Sequence, residues 1–257
     1  MKSSFRKLAY VLVIIICKVI TLMYKVKNVN KPKVLVYTDS RGFEISKWYN
    51  RKNPFSSYAG YFIKNFNCDV FICKHKHTTI LDFLIDTKPE QYDAVIMHCG
   101  IVDFSTRPLS NVQWIYDYKV DALSRFFSAS DLNNNLNNTH DTLYEGERTL
   151  SMYSLEQAIA VILPKLKSLD NLIWINSNKI LSDWSGSYWK ERPANINLVQ
   201  EFNAIFTSEL ENTIDLSDWD EADIKRYTSD NIHFNHIGFS YILNELKSQD
   251  LIVNLTD

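Results

Sequence analysis

The sequence predicts a three-layer α/β/α sandwich built around a central parallel sheet of about five strands. Short, almost uninterrupted apolar runs alternate along the chain with longer segments whose apolar residues recur at helical spacing. Such runs are typical of strands buried on both faces, and their alternation with helices implies right-handed crossovers between parallel strands. The predicted strands are 34–37, 69–73, 92–98, 172–175 and 213–216.

The segments with helical periodicity are 55–66, 79–85, 148–169, 195–210 and 237–246. Pro164 falls inside the third of these, where we expect a kink or a junction because proline removes a helical hydrogen bond. The polar stretch between Pro108 and Gly146 has no clear pattern. Its Asn-rich run, 133–138, is expected to be an exposed loop.

Composition sets limits on function. The chain has 257 residues, 46% of them hydrophobic, and a net charge of −2. It can therefore bury a substantial core, and nothing indicates a nucleic-acid partner. The four cysteines are expected to be small buried thiols. We predict no metal and no cofactor, because no His, Asp or Glu cluster has ligand spacing and no nucleotide-binding loop is present.

The first thirty residues differ from the rest. Three basic residues precede an apolar span of about 17 residues, Leu8 to Tyr24, which is at the short limit for crossing a bilayer. Lys18 near its middle costs roughly 2.5–3.5 kcal/mol in a spanning helix, which about ten apolar neighbours could offset. We expect residues 1–30 to form a membrane-associated helix and residues 31–257 to form one domain. The alternative is an amphipathic helix that lies on the protein or on a membrane surface. Basic residues on both sides leave the orientation open, and the cytoplasmic side is our working prediction.

The first predicted strand ends in Thr38, Asp39 and Ser40, and Gly42 allows a sharp turn into the next segment. At the carboxyl edge of an open α/β sheet, where ligands bind, a serine at such a turn is exposed. Free N–H groups of the following helix could meet an anion there. The alternative is that Ser40 only caps a helix.

A second candidate cluster lies just before the last helix. Asp230 and His233 are three residues apart on a predicted loop, so the carboxylate could orient the imidazole. A serine nucleophile needs such a base, and the base needs an acceptor that fixes its tautomer. His236 competes with His233 but has no carboxylate at matching spacing.

Three short motifs in this order resemble the SGNH (GDSL-like) hydrolase family over about residues 33 to 250. The family's Gly-Asp-Ser block appears as Thr38-Asp39-Ser40, and its Gly-x-Asn-Asp block appears as Gly100-Ile101-Val102-Asp103. Its Asp-x-x-His block appears as Asp230-Asn231-Ile232-His233, with Asn235 and Gly238 also in pattern. The resemblance implies a flavodoxin-like fold, with Ser40 as nucleophile, His233 as general base and Asp230 as its orienting partner.

The sequence departs from the family pattern at the expected oxyanion hole. Val102 replaces the asparagine whose side chain donates there, and the region from Lys74 to Thr78 lacks the glycine of the family's second block. Losing one oxyanion donor costs roughly 2.7–4 kcal/mol in the transition state. The chain is therefore expected to be either a slow or altered enzyme, or one that draws a replacement donor from elsewhere. The candidate donors are the Gly100 amide, His75, Lys76, His77 and His98.

Arginines and aromatic residues fall on predicted loops at the same edge of the sheet. Arg41 and Arg107 follow the first two motifs, and Arg192 shares a loop with Trp184, Tyr188 and Trp189. Arginine and aromatic faces suit an anionic or sugar-like ligand through bidentate bonding and stacking. The alternative is a loop packed by its own aromatics with arginines at the surface.

The leading hypothesis is a serine esterase or O-acyltransferase that acts on an O-acylated surface polysaccharide or its precursor. Small esters or acylated carbohydrates would be its ligands. The second hypothesis is an SGNH-fold binding or assembly protein that lacks turnover, favoured by Val102 and the missing glycine. A third is an enzyme acting on a phosphodiester or other anionic group.

Overall fold

The computed structural model describes residues 2–45, 47–50, 52–73, 77–187 and 190–256, and the side chains from Leu8 onward. In chain order the strands are β1 (Lys33–Thr38), β2 (Asn67–Ile72), β3 (Ala94–His98), β4 (Arg107–Pro108), β5 (His140–Tyr144), β6 (Glu147–Leu150), β7 (Leu172–Ile175) and β8 (Thr213–Ile214). The helices are α1 (Lys2–Lys27), α2 (Ala59–Asn65), α3 (Thr79–Asp86), α4 (Ile101–Phe104), α5 (Leu109–Tyr118), α6 (Val120–Leu123), α7 (Ala129–Asn137), α8 (Leu155–Gln157), α9 (Leu163–Lys167), α10 (Val199–Glu209), α11 (Glu221–Tyr227), α12 (His236–Ser248) and α13 (Asp250–Val253).

A five-stranded parallel sheet with the order β2-β1-β3-β7-β8 forms the centre of the fold. This is the predicted α/β/α architecture, with the strand order of flavodoxin-like proteins. In that order the chain leaves β1 on one side for β2 and returns to β3 on the other. A crevice therefore opens between the carboxyl ends of β1 and β3, which is where ligands bind in open sheets.

The sheet separates two hydrophobic cores. Leu35 and Tyr37 of β1 pack into the first core, whereas Val34 and Val36 pack into the second. β3 and β7 divide their side chains between the two cores in the same alternating way. Burial on both faces explains why these strands appear in the sequence as continuous apolar runs.

The predicted helix over 148–169 is wrong at its beginning, because residues 147–150 form strand β6. The helix starts only after Ser154, whose side chain accepts the Gln157 N–H in a capping box. It continues as a π-helical turn, Ala158–Ile162, into α9. The π turn ends at Ile162, two residues before Pro164, so the expected irregularity near this proline takes the form of a wider turn.

The stretch between Pro108 and Gly146 forms α5, α6, α7 and part of a small antiparallel sheet, β4-β6-β5. The expectation of an exposed Asn-rich loop is wrong, since most of that run lies in α7. Ser128 and Asp131 form a capping box at its start, and Leu132 packs into the first core. Asn135 is buried and donates to the Tyr116 hydroxyl at 2.8 Å and the Ser151 carbonyl at 3.2 Å. Tertiary contacts therefore override the loop-like composition.

The four cysteines are free thiols; Cys17, Cys68 and Cys99 are buried and Cys73 is half-buried. Within α1, the segment Leu8–Lys27 is long and apolar enough to cross a membrane, judged by length and composition only.

Candidate active site

Ser40 lies where β1 ends at the carboxyl edge of the sheet. The chain leaves β1 through Asp39 and enters a single 3-10 turn, Ser40–Gly42. Asp39 caps this turn by accepting the Arg41 N–H at 2.8 Å. A Cβ on residue 42 would come within 2.2 Å of the Thr38 side chain, so the turn requires glycine there. The turn leaves Ser40 exposed at the edge.

Ser40, His233 and Asp230 form a continuous hydrogen-bonded chain. Ser40 Oγ lies 2.9 Å from His233 Nε2, and His233 Nδ1 lies 2.8 Å from Asp230 Oδ2. The tautomer with its proton on Nδ1 satisfies both contacts, since the imidazole then donates to the carboxylate and accepts from the serine hydroxyl. This is the arrangement that activates a serine nucleophile. His236 instead begins α12 and is exposed.

The Asp230 carboxylate is held ionised behind the histidine. It is buried, and its Oδ1 accepts the backbone N–H groups of His233 at 2.7 Å and Ile232 at 3.1 Å. Burial by itself raises the pKa of Asp230. The hydrogen bonds and charge of His233, together with the two backbone donors, lower this pKa by more than burial raises it. The net pKa lies below the ordinary aspartate value, so the carboxylate can stabilise an imidazolium.

Asn231 fixes the loop that carries Asp230 and His233. It is fully buried at φ +73°, in the left-handed region that asparagine tolerates better than most residues. Its side chain accepts the Leu181 N–H at 3.0 Å and donates to the carbonyls of Leu181 at 2.8 Å and Trp184 at 2.7 Å. The loop after β7 and the triad loop therefore form one unit. In the sequence, Asn231 stands out only as a spacer between Asp230 and His233, although asparagine in a loop can indicate left-handed backbone.

Arg41 lies beside Ser40 on the inside of the turn. It is 1% exposed, and its guanidinium donates to both carboxylate oxygens of Asp39 at 3.0–3.2 Å and to the Asn176 carbonyl at 3.1 Å. The prediction that Arg41 binds substrate does not fit this placement, because its donors are used inside the protein. The buried ion pair instead links the Ser40–Gly42 turn to the end of β7.

His98 also differs from its predicted position. It is fully buried at the end of β3, with Nδ1 2.9 Å from the Tyr58 hydroxyl and its ring beside Phe234. Burial, followed by the nearby Arg41 charge, lowers the pKa of His98 well below its usual value. A neutral imidazole enclosed in the second core does not suit the predicted role of an oxyanion donor.

Backbone N–H groups are available at the expected oxyanion position. Thr38 and His98 are paired across β1 and β3, so Ser40 and Gly100 follow at neighbouring points of the crevice. Within the described part of the chain, the N–H groups of both residues donate to no other group. Gly100 has φ +109°, and a Cβ there would touch Trp174 at 3.0 Å. The geometry therefore suits backbone donors in place of the side chain that Val102 lacks.

The loop after β2 has a backbone feature that bears on the missing glycine. His77 has φ +87°, a conformation that normally favours glycine. The next residue, Thr78, is held by the half-buried Lys119, whose ammonium also donates to both oxygens of Asp82 at 2.7 Å. Lys119 is a positioning element that the sequence did not indicate. His75 and Lys76 lie outside the described residues.

Asp103 and Arg107 stabilise the segment after β3. Asp103 is buried and accepts from the Thr79 hydroxyl and from the Ile80 N–H at 3.1 Å. Burial raises the pKa of Asp103 to about 7 despite these bonds. Arg107 donates to the Val102 carbonyl, and burial, partly offset by the Asp103 charge, lowers its pKa to about 10. Arg107 thus contacts the backbone of the Gly100–Asp103 motif, whereas the sequence predicted that it binds a ligand.

The predicted aromatic and arginine loop lies against the triad loop. Arg192 donates to the Asp230 carbonyl at 2.6 Å, and Trp184 is half-buried against the second core. The Ser187 N–H donates to the Ser229 carbonyl at 2.9 Å. Arg192 and Trp184 therefore support the loop that carries Asp230 and His233. Tyr188 and Trp189 lie outside the described residues.

Comparisons with known proteins add distant likenesses. The sequence matches no protein-family model and no curated protein. A lipase/acylhydrolase from Enterococcus faecalis is structurally similar at 14% identity and a TM-score of 0.40, covering 84% of this chain and 93% of its own. An acetyl xylan esterase, AlAXEase, is similar at 14% identity and a TM-score of 0.40, covering 84% of this chain and 98% of its own. These likenesses concern the arrangement of helices and strands.

Proposed function

We propose that this protein is a serine-dependent acyl hydrolase or O-acyltransferase of SGNH type. The observation that carries the proposal is the Ser40–His233–Asp230 chain, with contacts of 2.9 and 2.8 Å, at the crevice between β1 and β3. Each of the three side chains comes from a motif that resembles the family's own block. Pure ligand binding would not need a serine hydroxyl, an imidazole and an ionised carboxylate in line.

In the proposed reaction Ser40 Oγ attacks the acyl carbonyl while His233 Nε2 takes the hydroxyl proton. The N–H groups of Ser40 and Gly100 stabilise the oxyanion of the tetrahedral intermediate. His233 then returns the proton to the departing alcohol, leaving an acyl group on Ser40. Water or a sugar hydroxyl next attacks this ester with His233 as base, which regenerates Ser40 and releases either an acid or an acylated product.

The proposed substrate is a broad class, whereas the proposed reaction is assigned to individual atoms. An O-acylated surface polysaccharide or its precursor remains the prediction, and the position of Trp184 and Arg192 beside the triad loop is compatible with it. Arg41 and Arg107 support a sugar-like or anionic ligand less than the sequence indicated, because Arg41 is buried and Arg107 donates to a backbone carbonyl. We further propose residues 31–257 as the catalytic domain and 1–30 as a membrane-associating helix, with its cytoplasmic side still a prediction.

The test is Ser40→Ala, with Ser240→Ala as the control because Ser240 is exposed on α12. We expect Ser40→Ala to abolish both turnover of 4-nitrophenyl acetate and labelling by a fluorophosphonate, while the control retains both. Labelling of the Ser40→Ala protein at the wild-type rate would show that the nucleophile assignment is wrong. An unlabelled wild-type protein with no turnover would favour the binding-protein hypothesis.

A further inference from the structure

Helix α1 has two different faces. Its outward side chains are large, aliphatic or thioether, and 48–68% exposed: Leu8, Val11, Leu12, Ile15, Ile16, Val19, Leu22, Met23 and Val26. Its other side contains the buried or half-buried positions Tyr10, Val13, Cys17, Thr21 and Tyr24. At about 100° per residue these two sets centre on opposite sides of the helix. The outer face is thus an apolar strip from Leu8 to Val26.

The inner face of α1 is attached to the domain over its second half. Cys17 donates to the Asn53 side chain at 3.3 Å, Lys25 pairs with Asp69 of β2, and Tyr24 packs against the second core. The helix ends in the fully buried Asn28, whose side-chain amide lies 3.0–3.2 Å from carbonyls at the end of α2. The inner face of α1 from Cys17 to its end is therefore held against the domain by polar groups as well as by apolar packing.

These contacts conflict with a helix that crosses the bilayer. Only the apolar residues from Leu8 to Ile16 precede the attached half, and they span about 13 Å of helix. The hydrocarbon core is about 30 Å thick. A perpendicular helix would leave the basic residues before Leu8 inside hydrocarbon, or would draw Asp69 and Asn53 into it. A helix lying in the plane of the membrane surface avoids both costs.

Lys18 fits the in-plane orientation. It is exposed, and it lies about 80° around the helix from the centre of the apolar strip, between that strip and the domain. In a spanning helix its ammonium would sit near the bilayer centre. In an interfacial helix the same side chain reaches the headgroups, where lysine is favoured by anionic lipids. Lys27 is exposed on the opposite flank.

A second apolar patch lies on the loop that α1 touches. Trp48 and Tyr49 are 39% and 42% exposed and pack edge to face, four residues before Asn53. Tryptophan and tyrosine are enriched at membrane interfaces. The same loop begins at the nucleophile turn, so this patch links α1 to the active site along the chain.

The direction of α1 also relates it to Ser40. Lys25 lies level with Asp69, which is paired with Leu35 near the start of β1. From there the helix rises about 12 Å to Cys17 while β1 rises about 10 Å to Thr38, in the opposite chain direction. The part of α1 before Cys17 therefore extends past the carboxyl edge where Ser40 stands.

We propose that α1 lies in the plane of an anionic membrane surface, with its outer strip and Trp48–Tyr49 in the lipid, and that the active site works beside that surface. Resting on the proposed function, this assigns the substrate to a class: acyl esters carried by amphiphiles in the same membrane. The substrate would then reach the crevice between β1 and β3 by diffusing in the plane of the bilayer.

The binding test uses the full chain with Ser40→Ala, so that catalysis plays no part. Sedimentation with phosphatidylcholine vesicles that contain phosphatidylglycerol should recover the protein, and pure phosphatidylcholine should recover less. The pair Ile15→Glu and Val19→Glu should lower partitioning at least roughly tenfold, because two aliphatic groups leave the lipid. The matched pair Val120→Glu and Leu143→Glu, at exposed positions away from α1, should bind as before.

The orientation test measures the depth of spin labels at single cysteines replacing Leu12, Ile15, Lys18, Val19 and Leu22. The unsubstituted protein gives the background from native cysteines. We expect the four strip positions at one shallow depth, and Lys18→Cys nearer to the water. A depth that changes steadily along the helix would overturn the in-plane assignment. Absence of vesicle binding, with a dimer that the Ile15/Val19 pair dissociates, would assign the strip to a second copy instead.

The substrate class is tested by comparing turnover of an acetyl ester of a lipid held in anionic vesicles with turnover of soluble 4-nitrophenyl acetate. The Ile15/Val19 pair should reduce turnover in vesicles at least roughly tenfold and leave turnover of the soluble ester unchanged. Equal loss on both substrates would overturn the membrane proposal. Loss of all soluble turnover in the wild type would instead count against the proposed function, while vesicle binding would still stand.

Discussion

At the residue scale, the site depends on how Asp230 is held. Its Oδ1 accepts two backbone N–H groups, so only Oδ2 is left for the His233 imidazole ring. That division fixes the carboxylate plane and hence the direction of the Nδ1–H bond. The imidazole is then aimed at Ser40 before any substrate arrives, which is the preorganisation that the proposed acyl transfer requires.

Asp230→Asn tests that role. The amide can still accept the two backbone N–H groups, but toward His233 it presents either a donor or a weaker acceptor. The wrong tautomer is then favoured, and we expect kcat for 4-nitrophenyl acetate to fall by about 10⁴, with little change in the unfolding midpoint. The exposed Asp218→Asn serves as the control. Turnover within a few-fold of wild type would remove Asp230 from the mechanism.

At the element scale, two loops act together. The segment after β7 and the triad loop are joined by Asn231, by the Asn178 side chain donating to the Asn231 carbonyl at 3.0 Å, and by Arg192 donating to the Asp230 carbonyl. Asn235 then caps α12 by accepting two backbone N–H groups. The triad loop is therefore fixed at both ends, which keeps His233 within reach of a serine 193 residues earlier in the chain.

Replacing Asn231 separates backbone strain from side-chain bonding. Asn231→Ala and Asn231→Gly both lose the three bonds to Leu181 and Trp184, at a cost of about 1–3 kcal/mol in the free energy of unfolding. Alanine alone is also strained at φ +73°, and we expect it to lose roughly 1–2 kcal/mol more than glycine. Urea unfolding and aryl acetate turnover would measure both effects. A glycine variant as stable and active as wild type would show that the side-chain bonds contribute nothing.

At the scale of the whole molecule, buried charges link the layers around the sheet. Asp39 and Arg41 join β1 to β7, Asp82 and Lys119 join α3 to the end of α5, and Asp103 joins α4 to α3. All lie toward the carboxyl edge of the sheet. The edge that presents Ser40 is thus supported by polar contacts, while the middle of the sheet is held by its two apolar cores.

Asp103 predicts how global stability depends on pH. Its pKa in the folded protein, about 7, lies above the unfolded value near 3.9. Between these values the folded state holds a proton that the unfolded chain has released, so this group's contribution to stability falls as pH rises through the window. We therefore expect Asp103→Asn to gain stability relative to wild type between pH 5 and pH 8, on the order of 2–4 kcal/mol.

Urea unfolding at the two pH values measures that difference, and the exposed Asp117→Asn is the control. The asparagine amide keeps an acceptor for the Ile80 N–H, so the comparison isolates the charge. A difference between variant and wild type that is the same at both pH values would show that Asp103 does not titrate in this window.

The sequence by itself determined the layers and the chain order of the triad. Continuous apolar runs and turn residues are local features, so the five strands, the helix before β3 and the last helix were all placed within a few residues. Ser40, Asp230 and His233 could be proposed because motif order and spacing survive in the sequence. Strand β6 and α7 were missed because the partners that hold them are distant in sequence: Glu147 accepts from Ser110, and Asn135 is buried against Tyr116 and Ser151.

Only the tertiary structure decided what surrounds the serine. Arg41 and His98 are next to or near the Ser40 and Gly100 motifs in sequence, but both side chains point into the protein. Sequence spacing does not give the direction of a side chain. The proposed oxyanion donors likewise depend on backbone direction at Ser40 and Gly100. Helix α1 shows the same division: its composition allowed a spanning helix, and its contacts at Cys17, Lys25 and Asn28 favour one that lies flat, because a face already packed on the domain cannot also face lipid.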